Sequence, residues 1–133
     1  MTALHDIIWL AGLLEGEGCF RTMSGSTTPR IDLGMTDHDV VAKAHRTLGE
    51  HGKVLKCIGV NKPVFKICLT GFHAAGWMMT LYPLLGGRRQ KRIRSILKAW
   101  RKAPWKRRNL GVPAKIPGTR NANPEYARLY RRA

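Results

Sequence analysis

Acidic residues are scarce in this chain. Its 133 residues include 24 Lys+Arg but only 8 Asp+Glu, a formal net charge of +16 at pH 7. That imbalance points to polyanions, nucleic acid first among them. Cysteine is sparse too. Cys19, Cys57 and Cys68 are odd in number with no close pair, which excludes a disulfide framework or zinc knuckle and fits a reduced compartment. No apolar run can span a bilayer; the longest near the start, 7–14, contains Gly12. The first residues carry Asp6 and no basic stretch, so they do not read as a secretory signal. His5, His38, His45, His51 and His73 lack metal-ligand spacing, and no GxxxxGK[ST] loop is present, which argues against a His/Cys metal centre and against nucleotide hydrolysis.

What remains is a chain with an ordinary hydrophobic fraction, 44%, enough for one domain with a modest core. The charge is uneven. Residues 86–133 hold 16 of the 24 basic side chains and only Glu125 as an acid. A membrane-surface helix is the competing reading, but the basic stretch has little apolar face beyond Ile93, Ile96, Leu97 and Trp100. From Pro104 onward the chain is rich in Pro, Lys and Arg and poor in large aliphatics. We divide it into a domain at 1–103 and a basic C-terminal arm at 104–133, with a short terminal helix starting at Asn123-Pro124.

Periodicity predicts helix over 6–14 with Asp6 at its start, strands at 19–24 and 30–33, and a helix from an Asp37 cap to Leu48. Strands at 53–58 and 64–69 flank a hairpin-length turn, and helices follow at 72–84 and 89–102. The predicted class is α+β, in the order αββαββα(α), with a four-stranded antiparallel sheet and helices on one face. Alternation sends Phe20, Ile31, Leu33, Val54, Phe65, Ile67 and Leu69 towards the helices. It sends Cys19, Arg21, Met23, Arg30, Asp32, Lys53 and Lys66 to the open face.

The most informative segment is Leu10-Ala11-Gly12-Leu13-Leu14-Glu15-Gly16-Glu17-Gly18. Gly12 and Gly16 are spaced i, i+4, so they share a helix face on which a second helix can approach closely. Glu15 and Glu17 stand where that helix runs out. Two such helices side by side bring carboxylates together, a place for a hard divalent cation.

This segment resembles the LAGLIDADG motif of homing endonucleases, with Glu in both acidic positions where Asp is commoner. The element order over roughly 4–102 resembles a single LAGLIDADG domain with its saddle-shaped sheet. No second such segment occurs, and the resemblance therefore implies a homodimer on a long, pseudo-palindromic double-stranded DNA site, with Ala11, Gly12, Glu15 and Gly16 at the interface. It implies cleavage of both strands with Mg²⁺ or Mn²⁺. Glu17 aligns with the catalytic acid that binds metal, with the Gly16 carbonyl as an added ligand; Glu15 is expected to satisfy backbone groups at the helix end. The family's basic residue beside the scissile phosphate aligns nearest Arg88, with Arg89 or Lys91 as alternates. The family's usual residue there is Lys, a departure that leaves the identity of the catalytic cation open. The polar residue that positions water aligns with Thr36 or Asp37.

On the open face, Arg21 and Arg30 are expected to pair with guanine and Asp32 to accept from cytosine, with Met23, Lys53, Lys66, Arg89 and Lys91 as further DNA contacts. Such enzymes belong to mobile genetic elements of bacteria, phage and organelles and act inside the cell. Two rivals stand beside this reading. One is a cleavage-inactive LAGLIDADG protein that binds DNA or RNA as a transcription regulator or intron maturase. The other is a ribosome-associated basic protein, which explains the charge but not the motif.

Overall fold

In a computed structural model of the chain, residues 3–58 and 61–103 are described. The expected arm at 104–133 and the tip of the second hairpin at 59–60 lie outside them. Helix α1 (Leu4–Glu17) leads into strands β1 (Gly18–Thr22) and β2 (Pro29–Met35). Helix α2 (His38–Thr47), strands β3 (Leu55–Cys57) and β4 (Val64–Thr70), and helix α3 (Gly71–Leu81) follow. A 3-10 turn (Tyr82–Leu84) then joins α3 to α4 (Gly87–Lys102). The order is the expected αββαββαα.

The four strands form one antiparallel sheet in the order β1-β2-β4-β3. Its register follows from burial. Phe20 pairs with Ile31, Ile31 with Leu69, and Leu33 with Ile67, so the apolar members of three strands line up on one face. All five are buried there, with Leu10, Leu14, Val41, Met78, Leu81, Ile93 and Ile96 from the helices above them. A one-residue slip of any strand would turn this set to water, which is what holds the register. Phe65 and Val54 pack at the margin of the same core. At the near end α1 and α2 are joined by Lys43, whose ammonium lies 4.1 Å from the centre of the Trp9 ring.

Several boundaries and one cap differ from the sequence reading. Helix α1 begins earlier than Asp6, after Ala3, and Asp6 sits in its first turn, where a negative charge complements the helix dipole without capping. Its C-terminal end reaches Glu17 instead of Leu14, because the Gly18 N–H bonds back to the Leu14 carbonyl. Asp37 occupies the N-cap position of α2 but makes no capping hydrogen bond. Strand β3 is only three residues long, so Lys53 lies before it, in irregular chain. Cys68 and Cys57 are partly buried and Cys19 exposed, all as free thiols. No described helix is long and apolar enough to cross a membrane.

Gly18 is the corner between helix and sheet. A methyl group there would meet the Leu14 side chain at 2.7 Å and the Leu14 carbonyl oxygen at 2.8 Å. Neither the helix nor the strand pairing of Gly18 with Leu33 leaves room to move. Gly18→Ala is therefore expected to cost about 1–3 kcal/mol, as overpacking does, read as a lower urea midpoint with unchanged slope.

Candidate active site and nucleic-acid interface

Helix α1 ends with four backbone carbonyls that the helix itself cannot pair. The chain closes that end from α4. Arg89 donates from Nη2 to the Glu15 carbonyl at 3.0 Å and from Nη1 to the Gly18 carbonyl at 2.8 Å. Three residues on, Arg92 donates from Nε to the Phe20 carbonyl at 3.2 Å. In return the Glu15 carboxylate accepts from the Gly86 N–H at 3.2 Å. A side chain at Gly86 would press on that carboxylate, at 2.8 Å from Oε1. Glu15 is expected to satisfy backbone groups at the end of its own helix; the N–H that it accepts from stands just before α4 instead.

This clasp changes two assignments. Arg89 is half-buried over the Phe20 ring with both terminal nitrogens occupied, and its Nε is buried without a hydrogen-bond partner among the described residues. It is a structural cation rather than a free DNA contact. Glu15 is likewise engaged within its own chain, so it is not an open interface residue.

Beyond the clasp Glu17 is exposed and makes no hydrogen bond or ion pair among the described residues. An unneutralised carboxylate at the negative end of a helix is electrostatically unfavourable alone, which is the setting a bound cation relieves. Gly16 belongs to the same last turn, so its carbonyl is a second oxygen donor. Both suit a hard cation of the Mg²⁺ class. Among the described residues no group of three His, Cys, Asp or Glu side chains is gathered.

Along α1, Leu4, Ile8, Gly12 and Gly16 form an exposed stripe one turn apart. A methyl group at Gly12 or Gly16 would meet nothing within 4 Å. Ala11, expected on this stripe, is instead buried at 1% exposure in the chain's own core. The i, i+4 repeat of the glycines defines the open side, and Ala11 is one residue off it.

Glu17 shares a groove on the open sheet face with Cys19, Arg21, Arg30, Asp32, Lys66 and Cys68. Asp32 is its centre, paired in register with Cys19 on one side and Cys68 on the other. Its Oδ2 accepts from the Arg21 Nε at 2.7 Å, and its two oxygens accept from the Arg30 Nε at 2.8 and 2.9 Å. The carboxylate is therefore occupied, which contradicts its expected role as an acceptor from cytosine. The hydrogen bond to Asp32 raises the Arg30 pKa against the opposing effect of its own desolvation. Burial first, then the charge of Asp32 and a hydrogen bond to it, push the Cys68 thiol up, so it stays protonated.

The other expected residues are dispersed. Met23 lies in the β1–β2 turn, where its N–H bonds the Thr28 carbonyl. Lys53, Arg88, Lys91, Thr36 and Asp37 are exposed and do not line this groove. Gly18 pairs with Leu33, so Gly34, and not Asp37, continues the strand opposite Glu17. Gly34 and Leu55 went unassigned in the sequence reading, although alternation from Asp32 and Lys53 puts them on the open face. Gly34 matters because the Lys66 side chain lies over it: a methyl group there would sit 3.2 Å from Cγ.

Comparison with solved structures identifies this arrangement. A crystal structure of the homing endonuclease I-CvuI in complex with its target, with calcium, matches at a TM-score of 0.50 and 17% identity, covering 73% of this chain and 71% of that one. The chain has the LAGLIDADG homing-endonuclease fold. A second I-CvuI complex, with the I-CreI target and magnesium and with its DNA not cleaved, matches at a TM-score of 0.49 and 17% identity. No protein-family model and no curated protein sequence matches the chain. Residues 10–18, which resemble the LAGLIDADG motif, are in this fold the C-terminal half of α1 and its turn into β1.

The two neighbouring arginines of α4 separate the structural role from the exposed one. Arg89→Ala leaves carbonyls at the end of α1 unpaired and is expected to cost about 2 kcal/mol or more. Arg88→Ala, with no partner among the described residues to lose, is expected to stay within about 0.5 kcal/mol of the natural protein. Thermal melts of the two variants side by side check both values.

Proposed function

We propose that the chain is a site-specific double-strand DNA endonuclease that works as a homodimer with a divalent metal. The observation that carries this reading is Glu17. It is a carboxylate with no hydrogen bond or ion pair among the described residues, at the end of a helix with a bare glycine face, opening onto a groove lined by Arg21, Arg30 and Lys66.

The glycine face supports the dimer. A second copy of α1 laid on Gly12 and Gly16 covers the exposed Leu4 and Ile8 and brings a second Glu17 to the first. Glu17 and the Gly16 carbonyl of each copy are the groups that would hold Mg²⁺ or Mn²⁺. When bound, such a cation supplies Lewis acidity at the phosphodiester and a water of lowered pKa. The chain's own residues do the rest. Arg88, exposed at the start of α4, is the cation available to stabilise charge on the phosphorus, with Lys91 one turn on as its alternate. Asp37, at the N-cap position of α2 with no capping hydrogen bond among the described residues, is the residue proposed to orient water.

The twofold axis of such a dimer implies a pseudo-palindromic site. The open sheet face carries the hydrogen-bonding side chains of Arg21, Arg30 and Lys66, which suit a major groove, where all four base pairs are distinguishable. The basic residues of 104–133 add an electrostatic attraction to phosphate that is independent of sequence. A DNA substrate puts the site of action inside a cell that carries the target.

The test is cleavage of a library of randomised pseudo-palindromic duplexes in Mg²⁺, with Glu17→Gln alongside. The natural protein is expected to enrich and cut one partly symmetric site, and Glu17→Gln to bind it without cutting. Specific retention without cleavage by either protein would move the reading to a regulator or maturase. For the dimer, Gly12→Val is expected to shift the sedimentation coefficient from dimer to monomer without loss of helical signal.

A further inference from the structure

Arg21 and Arg30 are direct cross-strand partners in the β1–β2 ladder. Like charges placed opposite each other destabilise a sheet, so this pairing needs a counter-charge. Asp32, two residues along β2 from Arg30 and diagonal to Arg21, is that counter-charge. Its position also needs explaining, because a carboxylate on a surface meant for DNA repels phosphate unless it is neutralised.

The manner of the pairing is informative. Each arginine reaches Asp32 through Nε, at 2.7 Å for Arg21 and 2.8 Å for Arg30. No hydrogen bond among the described residues uses the terminal nitrogens of either one. Those are the donors that engage guanine O6 and N7. The side chains are graded in exposure, with Asp32 at 22%, Arg30 at 30% and Arg21 at 49%, so the carboxylate sits beneath and the guanidinium groups above it. Cys68, in register with Asp32 on β4, flanks the carboxylate from the far side.

We propose that Asp32 is a positioning residue that orients the Arg21 and Arg30 guanidinium groups to read two neighbouring guanines in the major groove of the target duplex. The inference rests on the DNA-binding reading above. Both Nε atoms lie on one carboxylate oxygen, which keeps the two head groups within one to two base steps, each about 3.4 Å. Holding long side chains in their bound rotamers removes much of the ordering cost that binding otherwise carries. It also turns two flexible cations, which would serve as well on phosphates, into fixed readers of base edges.

The experiment is selection from a randomised pseudo-palindromic duplex library in Ca²⁺, scored by binding and sequencing. It compares the natural chain with Arg21→Ala, Arg30→Ala, Asp32→Asn and Asp32→Glu, each checked for native circular dichroism. The natural chain is expected to enrich neighbouring guanines in each half-site. Arg21→Ala is expected to lose about tenfold discrimination at one of them and Arg30→Ala at the other. Asp32→Asn is expected to weaken both together, while the salt dependence of binding, set by phosphate contacts, stays unchanged. Asp32→Glu keeps the charge and is expected to keep the preference in part. If Asp32→Asn does not fold, the two arginine variants decide: loss at two separated positions, or at none, overturns the inference.

Retention of both guanine preferences by folded Asp32→Asn also overturns it, as does loss at a cytosine instead, which would make Asp32 itself the reader. Both results leave the DNA-binding reading intact. Enrichment of no sequence by the natural chain would remove that reading and the inference together.

Discussion

Helix α1 brings unpaired carbonyls to the one place where the chain turns from helix to sheet, and α4 answers with Arg89. Two charge-assisted hydrogen bonds from one guanidinium join the last turn of α1, the first residue of β1 and the start of α4. Glu15 closes the same junction from the other side through the Gly86 N–H. Because these bonds fix residues 15 and 18, Glu17 between them has its backbone held while its side chain is left free. The direction in which α1 presents Gly12 and Gly16 is fixed by the same junction and by Leu10 and Leu14 in the core. The glycine stripe, the acid and the groove are consequences of one well-anchored helix end.

The sheet divides its work by parity. One face gives Phe20, Ile31, Leu33, Ile67 and Leu69 to the core, and the other gives Arg21, Arg30, Asp32, Lys66 and Cys68 to the groove. The open face is not simply basic. Its central charge is negative and held by two arginines, which organises the cations instead of leaving them as mobile counter-charges. The densest basic segment, by contrast, lies in 86–133. Within it Arg89 and Arg92 are turned inward on carbonyls, so net charge alone overstates what α4 offers to a polyanion.

Much of the fold was legible in the chain. Periodicities of 3.6 and 2 placed every element, and alternation assigned the core face of β1, β2 and β4 correctly because each has apolar residues at strict i, i+2 spacing. The misses share a cause: they depend on partners distant in sequence. The last turn of α1 survives because α4 caps it, 71 to 74 residues away. Arg89 reads as surface charge until those carbonyls are seen. Asp32 reads as a free acceptor until Arg21 arrives on the neighbouring strand. Ala11 looked like part of the small-residue stripe because helix phase was judged from the motif and not from burial. The short β3 reflects an edge strand with a single neighbour, where Lys53 and Val54 gain nothing from pairing. The motif helix was legible in the sequence, and the contacts that Arg89 makes from the start of α4 were not.

The account's central claim is that two copies of this chain meet along α1 and pool their Glu17 carboxylates around shared cations. Anomalous diffraction from crystals of the chain with its selected duplex in Mn²⁺ tests it most directly. The account predicts manganese on the twofold axis or astride it, liganded by Glu17 from both protomers and by phosphate. Manganese bound elsewhere, with the two Glu17 side chains apart and α1 facing solvent, would contradict it.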